Sequence, residues 1–371
     1  MEVKPTTFGL TKVLNRINPY LVKLRYFSIQ SKTIKRVELM KTRTLHNLIT
    51  DVQGISVGNK ENYKLNSGVT VVIPDQPSIA AVDIRGGGSG VRDTELLGLD
   101  GTVEKVDAIV LSGGSAFGLD AAGGVMAHLK EMGRGLLVGS NRVPIVPQAI
   151  LFDLENVGNN SWKGQPPYWS LGFEAARSTG INFSLGNIGA GLGARAGELK
   201  GGLGSSSYFI KELNITVGAL VAVNSAGSVL FPGTSTFYAW DSELNQEFGG
   251  SRPPKDFNKE KVEVPKYSNS YQNTTLAIIA TDAQLTKAET RRLSIIAQDG
   301  LGRAIRPAHT PLDGDTVFSI ATGFKPLNDP IRDISLLGGY AANTLARAIA
   351  RGVYEAKSIN SIKSYSDITA Q

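Results

Sequence analysis

Apolar positions along the chain fall into short runs separated by glycine clusters, and the period of each run predicts an element. Residues 68–73 and 79–84 are rich in β-branched side chains and read as strands, and 106–111 (VDAIVL) as a buried strand. Ser112-Gly-Gly-Ser115 leads into a helix predicted over 116–132, with Ser115 as N-cap and Gly133 as stop. Residues 136–138 make a short strand, and 217–223 with 227–231, flanking Asn224-Ser-Ala-Gly227, predict a β-hairpin. Residues 246–272 carry Pro253, Pro254 and Pro265 among many charges, which predicts an exposed, mobile connector. It ends abruptly at the apolar strand Asn273-Thr-Thr-Leu-Ala-Ile-Ile-Ala-Thr281. Thr286-Lys-Ala-Glu289 is a capping box that opens an amphipathic helix to about Arg303. A strand over 316–321 and an Ala/Leu-rich helix over 335–356 complete the pattern. Strands and helices mixed in this way, with a hairpin among them, indicate an α+β class or layered sandwich rather than a pure βαβ repeat.

Composition narrows the chemistry. The 371 residues include no Cys, so disulfides, a Cys nucleophile and thiolate metal sites are excluded. The only histidines are His46, His128 and His309, and a three-His metal site would consume all of them. No apolar run approaches the roughly 18–20 residues a bilayer-crossing helix needs. Charge is uneven: residues 1–45 hold ten basic and two acidic side chains, which makes that leader +8 and leaves the remainder at −2. A mildly acidic body does not suit nucleic acid. The basic, acid-poor leader has Leu10, Val13, Leu14, Ile17, Leu21 and Leu24 near helical spacing, the pattern of a mitochondrial transit peptide removed near residues 25–28. A disordered basic tail on a cytoplasmic protein is the alternative, and Pro5 and Pro19 favour it by interrupting a helix. Residues 46–371 are expected to form one domain.

Several glycine motifs suggest chemistry. Gly189-Ala-Gly-Leu-Gly-Ala194 fits a dinucleotide fingerprint, but Gly197, Gly201, Gly202 and Gly204 follow where a helix is required. The run from Gly202 to Ser207 resembles the phosphate-cradling loop of small-molecule kinases, which makes a nucleotide-dependent kinase an alternative function. No Gly-x-Ser-x-Gly elbow centres on Ser112 or Ser115.

The junction at Thr274 offers a sharper possibility. A cut between Asn273 and Thr274 leaves one residue carrying both a hydroxyl and an α-amine. Such an amine has a pKa of about 7.7–8.0, so it can take the hydroxyl proton as the oxygen attacks. No histidine is needed. A plain loop-to-strand junction is the simpler account of these residues taken alone.

Several segments together resemble one family: Arg85-Gly-Gly-Gly-Ser-Gly90, Leu111-Ser-Gly-Gly-Ser-Ala-Phe-Gly-Leu-Asp-Ala-Ala-Gly-Gly124, Val143-Pro-Ile-Val-Pro147, Ala149-Ile-Leu-Phe-Asp153, Asn273-Thr-Thr275 and Arg306-Pro-Ala-His-Thr-Pro-Leu-Asp-Gly-Asp-Thr316. In this order they resemble the self-processing aminopeptidases: L-aminopeptidase/D-Ala-esterase-amidase, β-peptidyl aminopeptidases and the endo-type nylon-oligomer hydrolase. The resemblance spans roughly residues 46–355 and implies an α/β/β/α sandwich like that of N-terminal-nucleophile hydrolases but differently connected. It implies self-cleavage at Asn273–Thr274 into chains 46–273 and 274–371, with Thr274 as nucleophile and small peptides or amides as substrates. Lys200 matches the family's active-site lysine, Asn224 its oxyanion-side asparagine, and Asp313 with Asp315 a carboxylate pair that orients the nucleophile. Read without the resemblance, these are a solvated loop lysine, a hairpin-turn asparagine and an Asp-Gly turn. Phe152 stands where some members have a tyrosine, so a hydroxyl donor to oxyanion or substrate is missing there. No metal or cofactor is implied, a homo-oligomer, often a tetramer, is suggested, and a catalytically silent binding protein on the same fold is the remaining alternative.

Overall fold

The computed structural model describes residues 45–155, 161–255 and 273–369. The leader lies outside these residues, as does most of the connector. Among the described residues no helix is long and apolar enough to cross a membrane.

Fifteen strands are described: β1 Ile55–Asn62, β2 Ser67–Pro74, β3 Ser78–Ile84, β4 Gly90–Arg92, β5 Lys105–Val106, β6 Ile109–Ser112, β7 Leu136–Val138, β8 Asn141–Val143, β9 Gln148–Ile150, β10 Arg195–Ala196, β11 Leu199–Lys200, β12 Gly202–Ile210, β13 Ile215–Asn224, β14 Thr274–Ala283 and β15 Thr316–Lys325. Five form a sheet in the order β1-β2-β6-β9-β4, and six form a second in the order β12-β13-β14-β15-β3-β5. In the second sheet β14 is antiparallel to β13 and parallel to β15, and β15 is antiparallel to β3.

Alternation along the strands builds the layers. Val72, Ile109 and Leu111 of the first sheet join Leu220, Leu276, Ile278 and Phe318 of the second in one buried cluster between the sheets. The opposite face of the first sheet, with Val69, Val71 and Val110, packs on helices α1 (Ala121–Glu131) and α2 (Tyr168–Arg177). The opposite face of the second, with Val221, Ile279 and Val317, packs on α3 (Lys287–Ala297), α4 (Asp299–Ala304) and α5 (Pro330–Tyr354). The result is the α/β/β/α sandwich expected from the resemblance, in the α+β class. Helices approach the sheets closely where glycine leaves room: a Cβ on Gly204 of β12 would lie 1.9 Å from the Ala348 carbonyl oxygen of α5.

Several expectations are corrected. The 106–111 run is two strands in different sheets, because the buried Asp107 leaves the ladder to accept the Ile145 N–H at 2.9 Å. Residues 217–231 are not a hairpin: β13 pairs with β12 and β14, while 227–231 makes only isolated bridges such as Ser228–Arg306 and Leu230–Phe237. Ser115 caps nothing with its side chain; a 3-10 turn over Ser115–Asp120 precedes α1, and Gln148 caps it from β9 by accepting the Ala122 N–H. The Thr286–Glu289 capping box is present, but the helix breaks at Gln298. The last long helix starts earlier than its Ala/Leu pattern, at Pro330, whose fixed φ suits a first helical position. The connector is not exposed throughout, since Phe248 is buried and the Glu247 carboxylate pairs with the Arg347 guanidinium at 2.5 Å.

Candidate active site

The sequence-derived site residues gather where one end of the second sheet meets the first. Thr274 opens β14, and its register partner on β13 is Asn224. Both are buried. Asn224 is the last residue of a strand rather than a hairpin turn. Its amide is held by two backbone groups: Oδ1 accepts the Arg195 N–H at 2.9 Å and Nδ2 donates to the Phe152 carbonyl at 2.9 Å. Phe152 therefore reaches the site through its backbone.

The turn before β15 crosses the start of β14. Asn273 forms a parallel bridge with Asp313, donating its N–H to Leu312 O at 3.2 Å while its own carbonyl accepts the Gly314 N–H at 2.9 Å. The Thr274 hydroxyl also donates to that carbonyl, at 2.6 Å. Asp313 accepts from the Ala226 N–H and from the N–H and hydroxyl of Thr310. Burial, then the neighbouring Asp315, pushes its carboxyl above the usual carboxylate range. Asp315 accepts the Thr275 N–H on one oxygen and both the N–H and Nδ1 of His309 on the other, each at 2.9 Å.

Lys200 is not a solvated loop residue. It is 1% exposed, and its ammonium donates to the carbonyls of Gly191, Ala194 and Gly201 at 2.7–3.0 Å. Burial lowers its pKa to about 7, partly opposed by the charge of Asp153. Asp153 is equally buried and its pKa is raised to about 6, burial outweighing the 2.7 Å bond from the Gly114 N–H. The side chain meets the glycine turn after β6 so closely that a Cβ on Gly113 would fall 2.2 Å from Asp153 Oδ2.

Thr274 and Asn224 are thus strand partners, Asn224 bonds the Phe152 backbone, and Asp313 and Asp315 hold the residues on either side of Thr274, with Lys200 and Asp153 as two buried ionisable groups that feel each other's charge. Sequence pattern does not single out Asp153 or His309. Both stand inside segments that carry the resemblance; burial distinguishes Asp153, and the contact with Asp315 distinguishes His309. The two glycine motifs dissolve: the run from Gly202 to Ser207 is strand β12, paired with β13 rather than looped around a phosphate, and Gly189–Gly191 is a 3-10 turn followed by β10 with no helix. Among the described residues no three His, Asp or Glu side chains cluster as metal ligands.

Solved structures share this architecture. A Burkholderia sp. β-aminopeptidase superposes with a TM-score of 0.65 at 21% identity, over 89% of this chain and 94% of its own. The L-aminopeptidase D-Ala-esterase/amidase of Ochrobactrum anthropi, a variant of the Ntn-hydrolase fold, gives 0.62 at 18% identity, over 87% and 93%. In sequence, an uncharacterized aminopeptidase of Mycobacterium tuberculosis is 41% identical over 343 residues, covering 87% of this chain and 98% of the relative. A 6-aminohexanoate-oligomer endohydrolase of Agromyces sp. is 26% identical over 279 residues, covering 73% and 74%. The fold is that of the Ntn-type aminopeptidases. Residues 47–366 match peptidase family S58, and the chain belongs to that family.

Proposed function

We propose that this protein is a self-processing N-terminal-threonine amide hydrolase, an aminopeptidase or amidase acting on small peptides or amides. The observation that carries this reading is the Thr274 hydroxyl lying 2.6 Å from the carbonyl oxygen of the residue before it, with Asn224 as its strand partner. Cleavage at Asn273–Thr274 frees the α-amine, which takes the hydroxyl proton as the oxygen attacks a substrate carbonyl. The second Asn224 N–H steadies the oxyanion, and water releases the acyl group. Lys200 holds the positive charge of the site, and Asp313 and Asp315 fix the turn around the nucleophile. Substrates that present an amide carbonyl near a free amine suit a site with buried carboxylates, and the named activities of the relatives, aminopeptidase and oligomer endohydrolase, both cleave amides.

The products of processing are residues up to 273 and 274–371. Homo-oligomerisation is supported by an exposed apolar patch on Met132, Leu136, Leu137, Val138 and Val143. The basic leader, which precedes the family match at residue 47, supports mitochondrial delivery, with a cytoplasmic location as the alternative.

Denaturing mass spectrometry of the purified chain tests the core of the proposal. A fragment beginning at Thr274 is expected, and Thr274→Ala leaves the chain whole. A wild-type chain that stays uncut and turns over no amide identifies instead a silent binding member of the family.

A further inference from the structure

We propose that the peptide N–H of Gly314 is the oxyanion donor of the self-cleavage step, a role distinct from that of Asn224 in later substrate turnover. The inference rests on self-processing at Thr274 and concerns which group makes it possible.

Among the described residues, two donors reach the Asn273 carbonyl oxygen: the Thr274 hydroxyl at 2.6 Å and the Gly314 N–H at 2.9 Å. The hydroxyl is the attacking group, so its hydrogen bond is lost as it reacts. Gly314 is the donor that remains when charge develops on that oxygen. Neither Asn224 group is bonded to this oxygen: its amide nitrogen donates to Phe152 O and its Oδ1 accepts the Arg195 N–H.

The reaction is a balanced acyl transfer. Thr274 Oγ1 bonds to the Asn273 carbonyl carbon, and the C=O electron pair moves onto the oxygen facing Gly314. Collapse breaks the Asn273–Thr274 C–N bond, and the hydroxyl proton ends on the leaving nitrogen. The resulting ester takes up water, giving the Asn273 carboxylate, the restored hydroxyl and the free α-amine. A preorganised donor 2.7–3.1 Å from the developing oxyanion is the geometry that lowers such a barrier most.

The surroundings are built to hold this N–H still. The turn is closed by Asp313 N donating to Thr310 O and by both Thr310 donors on the Asp313 carboxylate. From the other side the Arg85–Gly90 segment lies backbone against backbone: Gly88 N donates to Asp313 O at 2.8 Å and Arg85 N to Asp315 O at 3.0 Å. A Cβ on Gly86 would lie 2.2 Å from the Asp315 nitrogen, so this approach requires glycine. A Cβ on Gly314 itself would lie 2.6 Å from Thr274 Oγ1. The Asp-Gly-Asp sequence thus reads as two anchoring carboxylates around a residue that supplies a donor and leaves room for the nucleophile.

Replacing Gly314 with glycolic acid by nonsense suppression in the full chain turns the amide N–H into an ester oxygen at nearly unchanged shape. Cleavage at Thr274, followed over time by denaturing mass spectrometry, is expected to slow about 100- to 1000-fold, the usual effect of losing one such donor. Thermal melting should stay close to that of uncut Thr274→Ala. A folded glycolate chain that cuts at the wild-type rate overturns the assignment, and a folded Gly314→Pro chain that does so overturns it equally. Amide exchange in intact Thr274→Ala provides a check independent of any change at 314: a protected Gly314 proton is expected, and free exchange overturns the assignment. A wild-type chain that never cuts rejects the proposed function itself, whereas normal cutting in the glycolate chain rejects only the role of Gly314.

Discussion

Thr274 combines a buried hydroxyl with a strand-end position, and substitutions there test together the two roles proposed for it. Thr274→Ser keeps the oxygen and is expected to cut and to turn over amide substrate, whereas Thr274→Ala does neither; chain masses and an aminoacyl-anilide assay read both. The buried charges beside it predict a pH signature. Asp153 has a folded pKa raised to about 6, so between about pH 4 and 6 the folded chain binds more protons than the unfolded one. Its contribution to stability therefore falls as pH rises through that window. Lys200, lowered to about 7, acts oppositely: folding is favoured progressively as pH climbs from about 7 toward the ordinary lysine range. Thermal melts of Asp153→Asn should gain on the parent between pH 4 and 6, by on the order of 1–3 kcal/mol. An unchanged difference across that range would remove the buried-acid account. The junction before β14 points to Thr274 from sequence alone, whereas Asn224, Asp313 and Asp315 are reached only through the resemblance, their local pattern reading as turns. The environment of Lys200 was not legible, since nothing in Gly-Glu-Leu-Lys-Gly-Gly reveals that three distant carbonyls close over its ammonium.

At the level of elements, β14 and the capped helix α3 followed from local pattern: an unbroken apolar run and a Thr/Glu box with the right spacing. The false hairpin shows where such reading stops. Val229 and Leu230 are buried like strand residues, yet they join the core beneath the second sheet without pairing in it, and β14 takes the place beside β13 that a hairpin would give them. The start of the connector departs from expectation for a related reason: Glu247 reads as solvated by composition, and α5 supplies the arginines that bury it. Close helix-to-sheet contact gives a direct test of the layering. Gly204→Val places a branched side chain where 1.9 Å separates the Cβ position from Ala348 O, and backbone has no room to yield. A loss of at least 3 kcal/mol in urea unfolding is expected, well above an ordinary surface change. Leu276→Ala, at the sheet–sheet interface, should cost about 2–5 kcal/mol by the same measurement.

Across the whole molecule, the N-terminal edge of the described fold is tied to its last long helix. Arg347 donates to Glu247, Ser207 O and Asn47 Oδ1, and Arg351 donates to Asn47 O. Removing the carboxylate leaves two guanidinium groups facing each other with little solvent. Glu247→Ala is expected to destabilise by about 3–5 kcal/mol, as breaking one side of a buried ion pair does. A calorimetric shift within experimental scatter would reclassify the network as a solvated surface cluster.

The strand order of the larger sheet sets how a severed chain must behave. β14 and β15, both from beyond residue 273, are flanked by β13 and β3 from before it. Opening the peptide link therefore separates nothing: the two products remain interleaved and co-elute in native buffer. Denaturant changes this. An intact Thr274→Ala chain can refold alone, but matured material must re-form that sheet from two independent molecules, with a yield that depends on concentration. The proposed cut would thereby be compelled to follow folding, and once made it would leave the folded state hard to regain after loss.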